Sequence, residues 1–187
     1  MNSFQFSPFA VLVTEDLLLR QLATTDAPEI LALRSNEQVN RYVNRNKAHS
    51  LEDALSFIDL INKNIENNQS IYWGLQPKNN LKLIGTICLW NLSKQDISAE
   101  IGYELLPDFQ GKGFMQQAIS SVLEYGFKKM HLQTIEAWTV KQNLASTRIL
   151  ERNGFVVDVI AYGKMTEEEK VKDTIVFSLK ASSLANP

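Results

Sequence analysis

Ala99-Glu100-Ile101-Gly102-Tyr103-Glu104-Leu105 leads through Leu106 into Pro107-Asp108-Phe109-Gln110-Gly111-Lys112-Gly113-Phe114-Met115, after which Ala118, Ile119, Val122, Leu123 and Phe127 recur at helical spacing. Alternation predicts a strand over 96–106, and the spacing of three and four predicts a helix after the glycines. A strand, a glycine loop and a helix therefore stand in sequence. Where such a loop opens a helix, several backbone N–H groups lack an intrahelical partner and lie at the positive end of the helix dipole. That arrangement binds anions, phosphates among them. Two common phosphate motifs do not fit. A nucleotide P-loop needs a Ser or Thr after its Lys, but Lys112 is followed by Gly113, and a dinucleotide fingerprint needs a small residue where Gln116 stands.

Outward from this segment the chain alternates between strand and helix periodicity, which predicts a mixed α/β or α+β domain. Upstream, 14–22 reads as a strand through Leu17-Leu18-Leu19, and Asp26-Ala27-Pro28-Glu29 as a capping box that opens a helix to about Ser35. Ser50 begins a second helix whose apolar face is Ala54, Phe57, Ile58, Ile61 and Ile65. Strands over 70–76 and 82–92 join the 96–106 strand in an antiparallel meander, with short polar loops between them. Downstream come a strand over 133–140, a helix over 143–153 stopped by Gly154, and strands over 155–162 and 173–179 joined by a charged turn with Glu167-Glu168-Glu169. With no linker-like stretch and no repeat, one domain over 1–187 is expected, its core about 14–180.

Composition narrows the function classes. The 187 residues are 44% hydrophobic and 21% charged, as in an ordinary folded protein. With 19 basic and 21 acidic residues the net charge is −2, which argues against a nucleic-acid partner, because phosphate neutralisation needs a positive excess. Cys88 is the single cysteine and lies in the apolar run 83–89, so it reads as a buried, inert thiol, and neither an intrachain disulfide nor a thiolate metal site is expected. No metal is called for elsewhere. Residues 1–13 lack the basic residues and cleavage site of a leader, and no apolar run nears the roughly 18 residues that span a bilayer. A cytoplasmic protein without a membrane partner is the expectation. His49 and His131 fall in no motif and read as surface residues.

Gln110-Gly111-Lys112-Gly113-Phe114-Met115 resembles the Q/R-x-x-G-x-G/A pyrophosphate loop of the GNAT superfamily of acyl-CoA-dependent N-acetyltransferases. Its context resembles that family in order: the strand over 99–105, a helix ending in Tyr125-Gly126-Phe127, and Asn143-x-x-Ser146 leading to Glu151-Arg152-Asn153-Gly154-Phe155. Thr14-Glu15-Asp16-Leu17-Leu18-Leu19-Arg20 is similar to the opening of the branch that includes the ribosomal-protein serine and alanine N-terminal acetyltransferases. The resemblance implies a central, mostly antiparallel twisted sheet of about seven strands, helices on both faces, and a splayed strand pair that holds the cofactor. Two positions depart from the family pattern. Met115 stands at the last small position of the loop, and Leu150 stands where other members carry a tyrosine acid.

What the resemblance implies for chemistry is acetyl transfer from acetyl-CoA to a primary amine, by direct attack in a ternary complex. Gln110, Gly111, Lys112, Gly113, Phe114 and Met115 would hold the pyrophosphate through main-chain N–H groups, and Leu105 and Leu106 would supply the oxyanion donor and the pantetheine slot. Ser146 would donate a hydrogen bond to the coenzyme A sulfur. Asn143 would bond the pantetheine, serve only as a helix N-cap, or do both. Glu100 would be the base, working through water, with an exposed strand glutamate as the alternative reading. The acceptor is either a protein N-terminal α-amine or a small amine, in a pocket drawn from 36–49 and from Tyr72, Trp73 and Trp90. A non-catalytic acyl-CoA-binding module is the competing reading, an interaction protein without a ligand is a third, and a homodimer stays open.

Overall fold

Alternating apolar residues at the centre of the chain build one sheet, and two amphipathic layers cover it. In the computed structural model, which describes residues 4–43, 45–163, 166 and 173–184, the strands are β1 (Leu12–Val13), β2 (Leu17–Arg20), β3 (Ile71–Pro77), β4 (Gly85–Ser93), β5 (Ser98–Leu105), β6 (Thr134–Val140), β7 (Val156–Val157) and β8 (Thr174–Lys180). The helices are α1 (Ala27–Ser35), α2 (Glu37–Asn40), α3 (Leu51–Glu66), α4 (Phe114–Lys128), α5 (Leu144–Arg152) and α6 (Val159–Gly163). The eight strands lie in the order β1-β2-β3-β4-β5-β6-β8-β7. Every neighbouring pair is antiparallel except β5 and β6.

The two faces are told apart by β3. Trp73 meets Tyr125 of α4 edge-on at 5.5 Å between ring centroids, while its neighbour Tyr72 meets Phe57 of α3 at 5.7 Å. Successive strand residues point to opposite faces, so α4 packs on one side and α3 on the other. Trp73 is fully buried and donates its indole N–H to Ala10 O at 2.7 Å. The buried face of α4 is Met115, Ala118, Ile119, Val122, Leu123 and Gly126. At Gly126 a Cβ would lie 2.9 Å from Ile135 Cδ1, so a larger residue there would push that side chain aside.

Several expected boundaries move, each for a local reason. The strand over 14–22 is a hairpin of β1 and β2, because Thr14 turns the chain by donating its N–H to Leu17 O and accepting the Leu17 N–H on its hydroxyl. Asp26 does not cap α1 with its side chain. Its carboxylate instead takes both Arg20 guanidinium nitrogens at 2.8 Å and the Ala23 N–H at 2.8 Å, a charge-assisted fork stronger than a neutral cap bond. Ser50 does cap α3, reciprocally with Asp53. The strand over 155–162 shrinks to β7, since Asp158 accepts the N–H groups of Ile160 and Ala161 and starts α6. The turn with Glu167-Glu168-Glu169 lies outside the described residues.

Candidate active site

β5 and β6 pair only over Ser98↔Thr134, Ala99↔Ile135 and Glu100↔Glu136. Beyond Glu100 the strands part. The Leu106 N–H donates to Ile84 O at 2.9 Å and so points toward β4, in step with the Gly85↔Leu105 and Thr86↔Glu104 register. By the alternation of antiparallel pairs, Tyr103 and Leu105 turn their N–H and C=O groups away from β4 and toward the gap. Leu106 therefore offers no free amide there, and Leu105 does. One wall of the gap is thus the β5 edge, whose Leu105 C=O takes the Gln110 amide while its N–H stays turned to the gap, and the other is β6 with α5 following it.

At the end of β5 the glycine loop meets α4. Gly111 and Gly113 sit at φ +74° and +84°, in the left-handed region that favours glycine, and a Cβ at either would meet nothing within 4 Å. The helix ladder begins with Gln117 N to Gly113 O, so the N–H groups of Phe114, Met115 and Gln116 precede it and are free to bind an anion. Met115 is buried in the core, which leaves the loop's concave side to main chain. Gln110 gives its side-chain amide to Leu105 O at 3.0 Å and ties the loop to the strand. Lys112 is exposed, its Nζ 5.5 Å from the Phe109 ring centroid.

Asn143 caps α5 by accepting the Ser146 N–H at 3.3 Å. The Ser146 hydroxyl is 2.8 Å from Tyr103 Oη, across the gap on β5. Burial pushes the Tyr103 phenol up to about 12, against a smaller downward pull from that bond. Leu150, at the position of the missing tyrosine acid, is fully buried in the core.

On the opposite face of β5 stand Glu100, Gly102 and Glu104. Burial lifts the Glu100 carboxyl to about 7, with the Asn91 side chain pulling down and the Glu136 charge pushing up. Glu104 is spoken for: Arg45 Nη2 donates to it at 2.6 Å, and the Thr86 hydroxyl lies 3.2 Å away with Tyr72 Oη 2.9 Å beyond. Arg45 is held by donating its Nε–H to Asn40 Oδ1, and the Asn40 amide in turn donates to Leu33 O and Asn36 O. Trp90 is half exposed, and its indole N would lie 3.6 Å from a Cβ at Gly102.

A family model described as an acetyltransferase (GNAT) domain matches residues 16–156. The chain belongs to the GNAT acetyltransferase family. It is an acyl-CoA-dependent N-acetyltransferase by that membership and by its relatives. The N-acetyltransferase YoaA of Bacillus subtilis is 35% identical over 171 residues, 91% of this chain and 97% of the relative. Spermidine N-acetyltransferase from Vibrio cholerae, solved in complex with CoA and spermine, superposes with a TM-score of 0.77 at 25% identity, covering 92% of this chain and 100% of that one. Ribosomal-protein-S5-alanine acetyltransferase from Vibrio fischeri superposes at 0.75 and 22% identity over 92% and 97%, a likeness of fold.

In the acetyltransferase the residues singled out from sequence gather at the two ends and two sides of one gap. Leu105, Gln110, Asn143 and Ser146 border it, the loop over 111–115 continues from its Gln110 end with the Met115 side chain in the core, and Glu100 stands at its vertex. Trp73 is set apart, turned into the core beneath α4 rather than toward an acceptor pocket. Cys88 is buried with its thiol pushed up to about 12 by burial, and the two histidines are exposed. No helix among the described residues is long and apolar enough to cross a membrane. Sequence reasoning missed Tyr103 and Arg45. Tyr103 follows the pattern of a core strand residue, and Arg45 lies in a polar stretch without periodicity, so only their partners in space reveal them.

Proposed function

We propose that the chain is a single-domain enzyme that transfers an acetyl group from acetyl-CoA to a primary amine, a protein N-terminal α-amine or a small amine, by direct attack in a ternary complex. The observation that carries this reading is Glu100 at the last β5–β6 pair, with open backbone amides beyond it and a carboxyl lifted to about 7. A base of that strength suits an amine nucleophile near neutral pH. Acetyl-CoA, as co-substrate, supplies an activated thioester. Phe114, Met115 and Gln116 N–H groups hold its pyrophosphate, and the Tyr103 and Leu105 backbone edge lines the pantetheine slot.

Glu100 accepts the ammonium proton through water. The Leu105 N–H faces the negative charge that develops on the carbonyl oxygen, and Ser146 donates a hydrogen bond to the departing sulfur. The acceptor amine approaches over Glu100 and Gly102, beside Trp90. Thiol release from acetyl-CoA, measured across N-terminal peptides, polyamines and aminoglycosides, tests the reading. Turnover of one class identifies the acceptor, whereas coenzyme binding with no turnover on any of them would make the chain a non-catalytic acyl-CoA-binding module.

A further inference from the structure

Tyr103 lies past the last β5–β6 pair, and its side chain points to the α4 face, opposite Glu100 and Glu104. Its phenol crosses the gap to α5 and sits 2.8 Å from the Ser146 hydroxyl. A serine in the first turn of a helix ordinarily turns its hydroxyl to nearby main chain. Here the Ser146 N–H is satisfied by Asn143, and its oxygen meets a phenol from another element 43 positions away. Burial keeps that phenol protonated throughout the working range. A group that stays O–H is a fixed donor.

We propose that Tyr103 is a positioning residue for departure of the thiolate: its Oη–H donates to Ser146 Oγ, which turns the Ser146 hydrogen toward the sulfur. The inference rests on the reading of Ser146 given above. As the C–S bond breaks, its electron pair goes to sulfur, and the thiolate accepts the Ser146 hydrogen bond. The thiolate then takes its proton from solvent, while the proton lost by the amine passes to Glu100 and on to solvent. Tyr103 gives up no proton, because a phenol held near 12 is too weak an acid to protonate a thiolate. Its oxygen lies behind Ser146 as a polarising donor, a role that Leu150 on α5 cannot fill.

The probe is coenzyme A itself, so no acceptor need be known. The ionisation of the bound thiol is followed by the ultraviolet absorbance of the thiolate as pH is raised, in the native protein, Tyr103→Phe, Ser146→Ala and the double variant. Tyr103→Phe should raise the thiol's pKa by about one pH unit, equivalent to about a tenfold weaker hold on the thiolate. Ser146→Ala should raise it at least as far, and the double variant no further than Ser146→Ala. At a pH where the thiol is protonated, coenzyme A should bind native and Tyr103→Phe proteins equally. A shift in Ser146→Ala with none in Tyr103→Phe would overturn the role of Tyr103 and leave the Ser146 reading standing. No shift in either would sink the Ser146 reading itself. Equal weakening of protonated and ionised coenzyme A by Tyr103→Phe would show a merely structural phenol and overturn the proposal.

Discussion

The two sides of β5 are built from different materials. Toward the gap and α4, the groups available to a ligand are main-chain amides of the glycine loop and strand edge, with two hydroxyls, Tyr103 and Ser146, in contact. Toward α3, they are side-chain charges: Glu100 at the vertex, and Glu104 already paired with Arg45. Backbone amides serve any acyl-CoA because every such molecule presents the same phosphates and thioester. Side-chain charges are where one acceptor is distinguished from another. The donor side should therefore respond to changes of backbone conformation, and the acceptor side to changes of charge.

Charge at Glu100 should give the largest effect. Glu100→Gln should lower kcat/KM for the amine by about 10²- to 10⁴-fold, the usual worth of a general base. In the native enzyme the rate should rise with pH through about 7, as the carboxyl becomes able to accept a proton, and the variant should lose that limb. Stability moves the other way. The folded carboxyl titrates near 7 against 4.5 for the ordinary group, so the fold favours the protonated form. Burial adds no ionisation penalty below about pH 4.5, and that penalty grows between there and pH 7. Glu100→Gln should thus match the native protein in denaturant unfolding at pH 4 and exceed it by about 1–3 kcal/mol at pH 8. A variant less stable at both pH values would contradict burial as the cause.

Backbone conformation at the loop comes next. Gly113→Val places a β-branched residue at φ +84° in a position with open space around it, so the obstacle is conformational strain and not a clash with protein atoms. At 100 times the native Kd, coenzyme A should stabilise the native protein by about 2.7 kcal/mol, and this shift should vanish in the variant. A retained thermal shift would mean the phosphates bind elsewhere.

The contrast also explains what could be read from the chain. The donor side was legible because its signals are local: glycines between a strand and a helix, a cap at Asn143, and apolar spacing that sends Met115 inward. Alternation along one strand puts Glu100 and Glu104 on the same face, and the family resemblance, not the spacing, singles out Glu100. The Arg45–Glu104 pair joins residues 59 apart, and Tyr103 to Ser146 spans 43, so neither leaves a trace in periodicity. The short edge strands escaped for another reason, because side-chain bonds from Thr14 and Asp158 set them, not apolar pattern.

Arg45 tests the acceptor side at a smaller scale. Arg45→Ala leaves Glu104, whose side chain is 9% exposed, without its hydrogen-bonded cation and with only the more remote charge of Arg34, and should destabilise the protein by about 1–3 kcal/mol in chemical denaturation. Arg45→Met with Glu104→Gln should recover most of that loss, because what costs is the unpaired charge. Additive losses in the double variant would show instead that the pair organises α2 through the Arg45 to Asn40 bond.

The smallest effect is expected where α4 and α5 are fastened together. Gln116 and Asn153 exchange reciprocal amide hydrogen bonds at 2.7 and 3.1 Å, and Asn153 also donates to Ile149 O at 2.7 Å. Gln116 stands in the first turn of α4 beside the phosphate loop, while Asn153 closes α5, whose other end carries Ser146. The pair therefore fixes the start of α4, next to the glycine loop, against the end of α5, on the α4 side of β5. Gln116→Ala removes its two bonds to Asn153, leaving only the longer Ser120 Oγ to Asn153 Oδ1 bond at 3.4 Å, and should cost about 1 kcal/mol of stability. It should raise KM for acetyl-CoA a few-fold and leave KM for the amine unchanged. A rise in amine KM instead would mean that the two sides of β5 are mechanically coupled through α4, and that the division between a backbone-built donor side and a charge-built acceptor side does not hold in the working enzyme.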